Sequence, residues 1–269
     1  MALKPFVPSI APQMRGRIME ALAEIERQHD VTILLAIESG SRAWGFPSND
    51  SDYDVRFVYV HRMDWYLSLE AKRDVIELPI DDELDISGWD LRKSFNLMLK
   101  SNPVLLEWLH SPIQYIWLEH VCESMMAIAK QASYNKACIY HYLKQGEIQR
   151  QRYLDGKDEI NLKKYFYVLR PALALRWMRL LPGTTPPMNL QELVKPLDLS
   201  QELLATVEDL IAIKTQLGEA AVGAAIPALD QLIEHEFALA HSIASPPKPQ
   251  GLRDEADMLF RQIVKSDWP

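Results

Sequence analysis

Two aspartates at the start of an apolar strand are the residues of this chain best suited to chemistry. Asp52 and Asp54 lie two residues apart and open the run DYDVRFVYV. Side chains two apart in a β-strand point to the same face, so both carboxylates should project together, opposite Tyr53 and Val55. Adjacent carboxylates repel each other unless a cation lies between them, and such hard oxygen ligands suit Mg²⁺. The spacing therefore predicts a magnesium site where this strand begins.

A turn of small residues precedes the aspartates. Residues 31–37, VTILLAI, form a short apolar run typical of a buried strand. Gly40 and Ser41 follow it, and Gly45 comes shortly after. Glycine permits positive φ and a close approach of the backbone to a ligand. A helix beginning at Ser41 would also direct free N–H groups at an anion, so this turn is predicted to hold phosphate.

A third carboxylate is expected from a neighbouring strand. Residues 75–78 and 84–89 are predicted to form two strands joined by a polar turn. Asp85 lies inside the second strand between apolar residues, where a carboxylate is costly to bury unless it is paired or bound to metal. Asp85 is therefore the predicted third ligand; the alternative is an exposed carboxylate on an edge strand. Three acidic residues of the turn are competing candidates and are expected to be solvated: Asp81, Asp82 and Glu83.

Basic side chains that could bind a triphosphate are found in three places. Lys163, Tyr167 and Arg170 are spaced i, i+4 and i+7, which puts them on one face of a predicted helix. Such a stripe can contact phosphates and stack a base, although it could equally be a solvated helix face. Arg42 lies beside the proposed phosphate turn. Arg56 shares the aspartate face and either pairs with a carboxylate there or contacts substrate.

The composition limits the class of protein. The 269 residues are 48% hydrophobic, which supports a full core, and no stretch of 18 apolar residues predicts a membrane span. We expect no secretory signal at the N-terminus, and Cys122 and Cys138 are expected to be reduced core thiols in a cytoplasmic protein. The net charge of −8 argues against a general nucleic-acid coat protein but not against an enzyme with a local basic patch.

Strand signals stop near residue 118 and helical periodicity follows. The sequence thus predicts an α+β protein with one domain over residues 1–118 and an all-α domain over 119–269. Asp64 and Asp90 are candidate N-caps of two helices in the first domain. The predicted strands are 31–37, 52–60, 75–78, 84–89 and 113–118. The predicted helices are 12–28, 61–69, 91–100, a further one from 103, 122–131, 134–154, 161–181, 199–217, 226–244 and 251–265.

One combination of residues resembles a known signature. The pattern Gly-Ser-x-Ala-x-Gly, a short gap and Ser-Asp-x-Asp before an apolar strand is similar to that of the polymerase-beta-like nucleotidyltransferase superfamily. The longer runs LDISGWDLRKSF and SNPVLLEWLHSP resemble a bacterial branch of predicted nucleotidyltransferases that is similar to RNA-repair-associated members. The signature residues are Gly40, Ser41, Ala43, Gly45, Ser51, Asp52 and Asp54.

The resemblance implies a fold and an activity. The fold would be a nucleotidyltransferase domain, a mixed sheet with helices on one face, followed by a helical domain that completes the nucleotide cleft. The activity would be Mg²⁺-dependent transfer of a nucleoside monophosphate from a nucleoside triphosphate to an acceptor hydroxyl, releasing pyrophosphate. Two Mg²⁺ ions, replaceable by Mn²⁺, would be held by Asp52, Asp54 and Asp85. The implied nucleotide contacts are Gly40, Ser41, Arg42, Ser51, Lys163, Tyr167 and Arg170.

The acceptor is the least defined part of this expectation. The resemblance suggests an RNA 3′ end. A protein or a small molecule is the second candidate, and a catalytically inactive nucleotide-binding protein is the third. No membrane partner is expected.

Overall fold

The chain groups into two units by its internal contacts. The computed structural model describes residues 3–81, 83–132, 136–217, 221–244 and 249–268. We refer to the two groups as the sheet unit and the helical unit. The sheet unit comprises Pro8–Gly40, Asp52–Ala132 and Lys248–Pro269. The helical unit comprises Met1–Val7, Ser41–Ser51 and Ser133–Pro247.

The sheet unit is built on one mixed five-stranded sheet. Its strands are β1 (Val31–Glu38), β2 (Tyr53–His61), β3 (Val75–Glu77), β4 (Leu84–Asp90) and β5 (Gln114–Trp117). Their order is β3-β4-β2-β1-β5. The β2–β4 pair is parallel, and the pairs β1–β2, β1–β5 and β3–β4 are antiparallel. The parallel pair is the one that concerns the candidate site, because its two strands carry Asp54 and Asp85.

Helices pack on this sheet through apolar stripes. The helices of the sheet unit are α1 (Pro12–His29), α3 (Met63–Tyr66), α4 (Leu91–Leu99), α5 (Pro103–Trp108), α6 (Glu119–Ala132) and α12 (Leu252–Lys265). In α1, Ile18, Leu22 and Ile25 recur at helical spacing and are buried in one cluster with Val55 and Phe57 of β2. Helix α4 contacts β2 and β4, α6 contacts β1, and α12 contacts β2. Both elements that carry the aspartates are therefore held in a packed core.

The helical unit is organised around one long helix. Its helices are α2 (Gly40–Trp44), of which Ser41–Trp44 belong to this unit, α7 (Lys136–Tyr153), α8 (Lys163–Leu180), α9 (Leu190–Val194), α10 (Gln201–Leu217) and α11 (Pro227–Leu239). Helices α7 and α11 pack on α8, whose Tyr165, Phe166, Leu169 and Leu173 are fully buried. Two strands of two residues each, β6 (Ile160–Asn161) and β7 (Val222–Gly223), form a short antiparallel pair.

The predicted α+β class is confirmed, and the predicted strands of the sheet unit agree with the observed ones to within a few residues. Asp90 caps α4 as expected, because its Oδ1 accepts from the Arg92 N–H at 2.8 Å. The assignment of Asp64 as a cap was wrong: α3 begins after Arg62, and Asp64 lies inside its first turn. Residues 134 and 135 of the predicted helix 134–154 lie outside the described residues.

The predicted domain boundary at residue 118 stays a prediction. The two units found from internal contacts do not divide at residue 118. Helices α6 and α12 belong to the sheet unit, and Ser41–Ser51 belongs to the helical unit. Within the described ranges, no helix is both long and apolar enough to cross a membrane.

Candidate nucleotidyl-transfer site

Asp54 and Asp85 lie side by side on the two parallel strands. The pairing of β2 with β4 sets Asp54 directly opposite Asp85, on strands about 4.8 Å apart. Their side chains are 30% and 29% exposed, whereas the next residues, Val55 and Ile86, are buried. Because residues in register on neighbouring strands share a face, the two carboxylates reach solvent from the same side of the sheet.

The Arg56 guanidinium bridges the two carboxylates. Its Nη2 lies 2.6 Å from Asp85 Oδ2 and 3.2 Å from Asp54 Oδ1. Its Nη1 donates to the backbone carbonyls of Val55 and Asp85, each at 3.0 Å. The backbone contacts anchor Arg56 to the sheet, so its charge offsets the repulsion between the two aspartates. Of the two roles that the sequence left open for Arg56, the structure contains the ion pair.

Three consecutive residues hold three different parts of Asp54. The Glu38 carboxylate accepts from the Asp54 N–H at 3.0 Å, and the Ser39 N–H donates to the Asp54 carbonyl at 2.8 Å. Gly40 lies against the carboxylate with a φ of +56°, and a Cβ added there would be 1.8 Å from Asp54 Oδ2. Gly40 is therefore required both by its backbone conformation and by the space that Asp54 occupies.

Glu38 is itself a buried carboxylate with partners inside the sheet unit. Its exposure is 0%, and its Oε2 accepts from the Tyr115 hydroxyl at 2.6 Å. Its backbone carbonyl accepts from Ser111 Oγ at 2.7 Å. Burial, followed by the negative charge of Glu38, raises the pKa of Tyr115 far above its ordinary value. Tyr115 therefore keeps the proton that it donates to Glu38.

The chemistry of this pair fits a divalent cation shared with a substrate. Asp54 and Asp85 offer hard oxygen donors that are partly exposed, and Mg²⁺ is commonly held by one or two carboxylates together with substrate phosphates. Across the described parts of the chain, no group of three or more His, Cys, Asp or Glu side chains could hold a metal ion. A divalent cation held by Asp54 and Asp85 would take further ligands from substrate phosphates or water.

The other acidic candidates have different surroundings. Asp52 is exposed and immediately precedes β2, and its role as a ligand stays a prediction. Asp81 and Glu83 are exposed and both pair with Arg17, as expected for solvated carboxylates. Asp82 lies outside the described residues.

In the helical unit, a buried lysine holds the segment Ser41–Ser51. Lys214 of α10 is 0% exposed, and its Nζ donates to Ser48 Oγ at 3.1 Å and to Ser51 Oγ at 3.0 Å. The two hydroxyls are 2.9 Å apart, and Ser51 Oγ also accepts from the Ser48 N–H at 3.0 Å. Ser51, predicted to contact nucleotide, is thus part of a buried network that fixes its own turn.

Other predicted nucleotide contacts in this segment have structural partners as well. Arg42 donates to the Ser51 carbonyl at 2.6 Å, and the Ser41 carbonyl accepts from the N–H groups of Gly45 and Phe46. The predicted helix at Ser41 exists as the five-residue α2, which begins one residue earlier. Binding of phosphate by these residues stays a prediction.

Tyr167 and Arg170 both contact Trp44, and Lys163 lies beside Tyr167. Tyr167 makes an edge contact with Trp44, with ring centroids 5.9 Å apart, and the Lys163 ammonium is 5.9 Å from the Tyr167 ring. The Arg170 guanidinium lies 4.4 Å from the Trp44 ring, and Nη2 donates to the Met188 carbonyl at 2.9 Å. Arg170 is only 7% exposed, so it packs inside the helical unit while Lys163 and Tyr167 are half-buried.

Sequence reasoning missed Glu38, Tyr115 and Lys214. A signal for Lys214 was present: buried Leu204, Val207 and Leu210 define the apolar stripe of α10, and Lys214 occupies its next position. Glu38 likewise ends the apolar run of β1. Tyr115 had no comparable signal, because its importance comes from a partner that is distant in sequence.

A mixed sheet that pairs two aspartates on adjacent strands, beside a glycine turn, is the arrangement expected of a nucleotidyltransferase of the polymerase-beta type. The chain matches the family model described as "RNA repair pathway DNA polymerase beta family" (RlaP) over residues 14–262, and it belongs to that family. The family supports nucleotidyl transfer as the general activity.

Two further comparisons, one with a protein sequence and one with a solved structure, give the following similarities. The chain is 44% identical over 257 residues to "Uncharacterized protein YcgL" of Bacillus subtilis (strain 168), a match that covers 95% of this chain and 98% of the relative. A solved structure of a nucleotidyltransferase-like protein from Exiguobacterium sibiricum 255-15 is 12% identical, with a TM-score of 0.28 over 94% of this chain and 81% of that chain.

Proposed function

We propose that this protein transfers a nucleoside monophosphate from a nucleoside triphosphate to an acceptor hydroxyl and releases pyrophosphate. The observation that carries the proposal is the in-register pair Asp54 and Asp85, partly exposed on adjacent parallel strands. Two neighbouring carboxylates suit a phosphoryl-transfer site, because metal ions that they bind neutralise the charge on the reacting phosphate.

Asp52, Asp54 and Asp85 are the proposed ligands of two Mg²⁺ ions, and Mn²⁺ is the proposed substitute. When bound, the ions would supply the positive charge that activates the acceptor hydroxyl and binds the phosphates. The protein's own contribution is orientation: Gly40 and Ser39 fix Asp54, and Arg56 joins it to Asp85. Such positioning accounts for much of the catalysis in phosphoryl transfer.

The proposed acceptor is an RNA 3′ end, supported by membership in an RNA repair pathway family. Gly40, Ser41, Arg42, Ser51, Lys163, Tyr167 and Arg170 stay the proposed nucleotide contacts. Transfer to a protein or a small molecule is the second candidate, and the net charge of −8 favours it mildly over a long polyanion. A cytoplasmic location is likewise proposed.

The test is incubation with each α-labelled nucleoside triphosphate and Mg²⁺, alone, with RNA and with cell lysate. Label in RNA and released pyrophosphate are the expected results. Label in protein or in a small molecule would move the proposal to the second acceptor. Pyrophosphate release that is absent under all conditions would overturn the activity.

Variants connect the activity to the site. Asp54→Asn and Asp85→Asn keep the size of each side chain but remove its charge, so each should lower turnover about 10³-fold or more while the thermal melt stays cooperative. Asp257→Asn is the matched control, because Asp257 forms an exposed ion pair with Arg261 at 2.8 Å on α12. Equal turnover in all three variants would mean that the aspartate pair has no part in the reaction.

A further inference from the structure

The Asp54 backbone lies just beyond the last pair of the β1–β2 ladder. The antiparallel register ends at the pair Glu38–Val55, and a ladder continued by one residue would pair Asp54 with Ser39. One of the two backbone hydrogen bonds of such a pair is present, because the Ser39 N–H donates to the Asp54 carbonyl at 2.8 Å. The chain then turns into α2 at Gly40, and the Asp54 N–H is donated to the side chain of Glu38 at 3.0 Å. A side-chain carboxylate thus serves in the place of a strand carbonyl.

We propose that Glu38 is a positioning residue that fixes the Asp54 carboxylate, and that the Tyr115 hydroxyl holds Glu38 in place. The inference rests on the proposed function, since it assigns Glu38 a role in a reaction that Asp54 performs. Glu38 cannot touch the substrate itself, because its exposure is 0%.

Each carboxylate oxygen of Glu38 accepts a hydrogen bond from a different strand. Oε1 accepts from the Asp54 N–H at 3.0 Å, and Oε2 accepts from the Tyr115 hydroxyl at 2.6 Å. Ser111 Oγ adds a bond of 2.7 Å to the Glu38 carbonyl, which fixes the backbone from which the side chain extends. One side chain thus joins the Asp54 amide to the Tyr115 hydroxyl through two hydrogen bonds.

The two hydrogen bonds of the Glu38 side chain connect the edge strand β5 to the pair Asp54 and Asp85. Tyr115 lies on β5 and Asp54 on β2, and the two strands are on opposite sides of β1 in the sheet. Glu38, the last residue of β1, is the side chain that contacts both. A shift of Glu38 would release the Asp54 amide at the residue where β2 pairs in register with Asp85.

The primary test is Tyr115→Phe, with Tyr66→Phe as the matched control. Tyr66 donates to the Asp90 carboxylate at 2.7 Å in the same unit, so the control removes the same kind of bond without touching Glu38. Tyr115→Phe should lower kcat about tenfold, with the KM for the triphosphate changed less than about twofold, because the reacting group is misplaced rather than the binding surface lost. Tyr66→Phe should leave both constants unchanged.

Glu38 variants test the bridge itself. Glu38→Ala removes the acceptor and should lower kcat about 10²-fold. Glu38→Gln keeps a carbonyl oxygen for the Asp54 N–H, so it should recover kcat to within about threefold of the native value. Truncation of a buried residue can prevent folding. If Glu38→Ala is insoluble, the proposal is tested by the activity of Glu38→Gln and by the comparison of Tyr115→Phe with Tyr66→Phe.

Hydrogen exchange of the Asp54 amide is a readout that needs no activity. Exchange should be about tenfold faster in Tyr115→Phe than in the native protein or in Tyr66→Phe. Unchanged exchange in Tyr115→Phe and Glu38→Ala, or equal kcat losses in the two tyrosine variants, would overturn the positioning role. If the native protein transfers no nucleotide, the proposed function fails, and the exchange rates alone then decide whether Glu38 holds Asp54.

Discussion

Substitution of Gly40 by alanine tests whether the observed orientation of Asp54 is the one that works. Two costs arise at this position. The φ of Gly40 is +56°, a left-handed conformation that costs an alanine about 1–2 kcal/mol. The added Cβ would also lie 1.8 Å from Asp54 Oδ2 and 2.7 Å from its Cγ. The first cost affects folding, and the second affects the position of the carboxylate.

The second cost determines the effect on activity. A real Cβ essentially never approaches another heavy atom closer than 3.0 Å, so the Asp54 carboxylate must move by about 1 Å or more. Because the end of a side chain can rotate away, the displacement should add little to the loss of stability. A displacement of about 1 Å at a reacting group can cost about 10²-fold in rate. Gly40→Ala should therefore lower kcat about 10²-fold while the free energy of unfolding falls only about 1–2 kcal/mol.

Gly156→Ala provides the control. Gly156 also has a left-handed φ, +67°, but an added Cβ there would meet nothing within 4 Å. Urea unfolding should show similar losses of stability in both variants, and steady-state nucleotide transfer should fall in Gly40→Ala alone. Equal activities would refute the reasoning, because they would mean that Asp54 can be displaced without effect on the reaction.

Three further predictions concern charged groups. Lys214→Ala should lower the free energy of unfolding by about 2–4 kcal/mol, because it leaves a cavity and removes one hydrogen bond from each of two buried hydroxyls. The exposed Lys195→Ala should change it little in urea melts. Arg56→Gln should raise Mn²⁺ affinity about tenfold in calorimetric titration, since a positive charge beside two carboxylates is removed; unchanged or weaker affinity would contradict this. Burial, chiefly, lowers the pKa of His61 to about 4, against about 6.5 when unfolded, so stability should be retained above about pH 6.5 and fall toward pH 4. Urea melts should show that His61→Gln loses this dependence.

The faces on which the aspartates of the sheet unit lie were largely predictable because strand patterning is local. Alternation with a period of two indicates which residues share a face, and it correctly separated Asp54 and Arg56 from buried Val55 and Phe57. The parallel register that pairs Asp54 with Asp85 was not predictable from this pattern. Register depends on the side-chain packing of both strands and on the connection between them, and neither is contained in one strand's sequence.

The helical unit shows where periodicity fails. The helices α7, α8 and α10 each span four to five turns, long enough for an apolar stripe to recur, and all three were predicted near their observed bounds. Helix α9 has five residues, and β6 and β7 have two each, so none of them is long enough for a pattern to recur. Both α9 and β6 pack on the longer helix α8, and the sequence of a short segment does not indicate that packing.

Glu38 and Lys214 show that an exception to a pattern can mark a structural role. Each is an ionisable residue at a position that the apolar pattern assigns to the core, and each is 0% exposed. Burial of such a group is costly without partners, so the anomaly alone predicts that hydrogen-bond partners exist. It does not identify them: Tyr115 is 77 residues from Glu38, and Ser48 is 166 residues from Lys214. A sequence can therefore indicate that a buried ionisable residue needs partners, whereas only the folded chain shows that Glu38 of β1 accepts a hydrogen bond from the Asp54 amide.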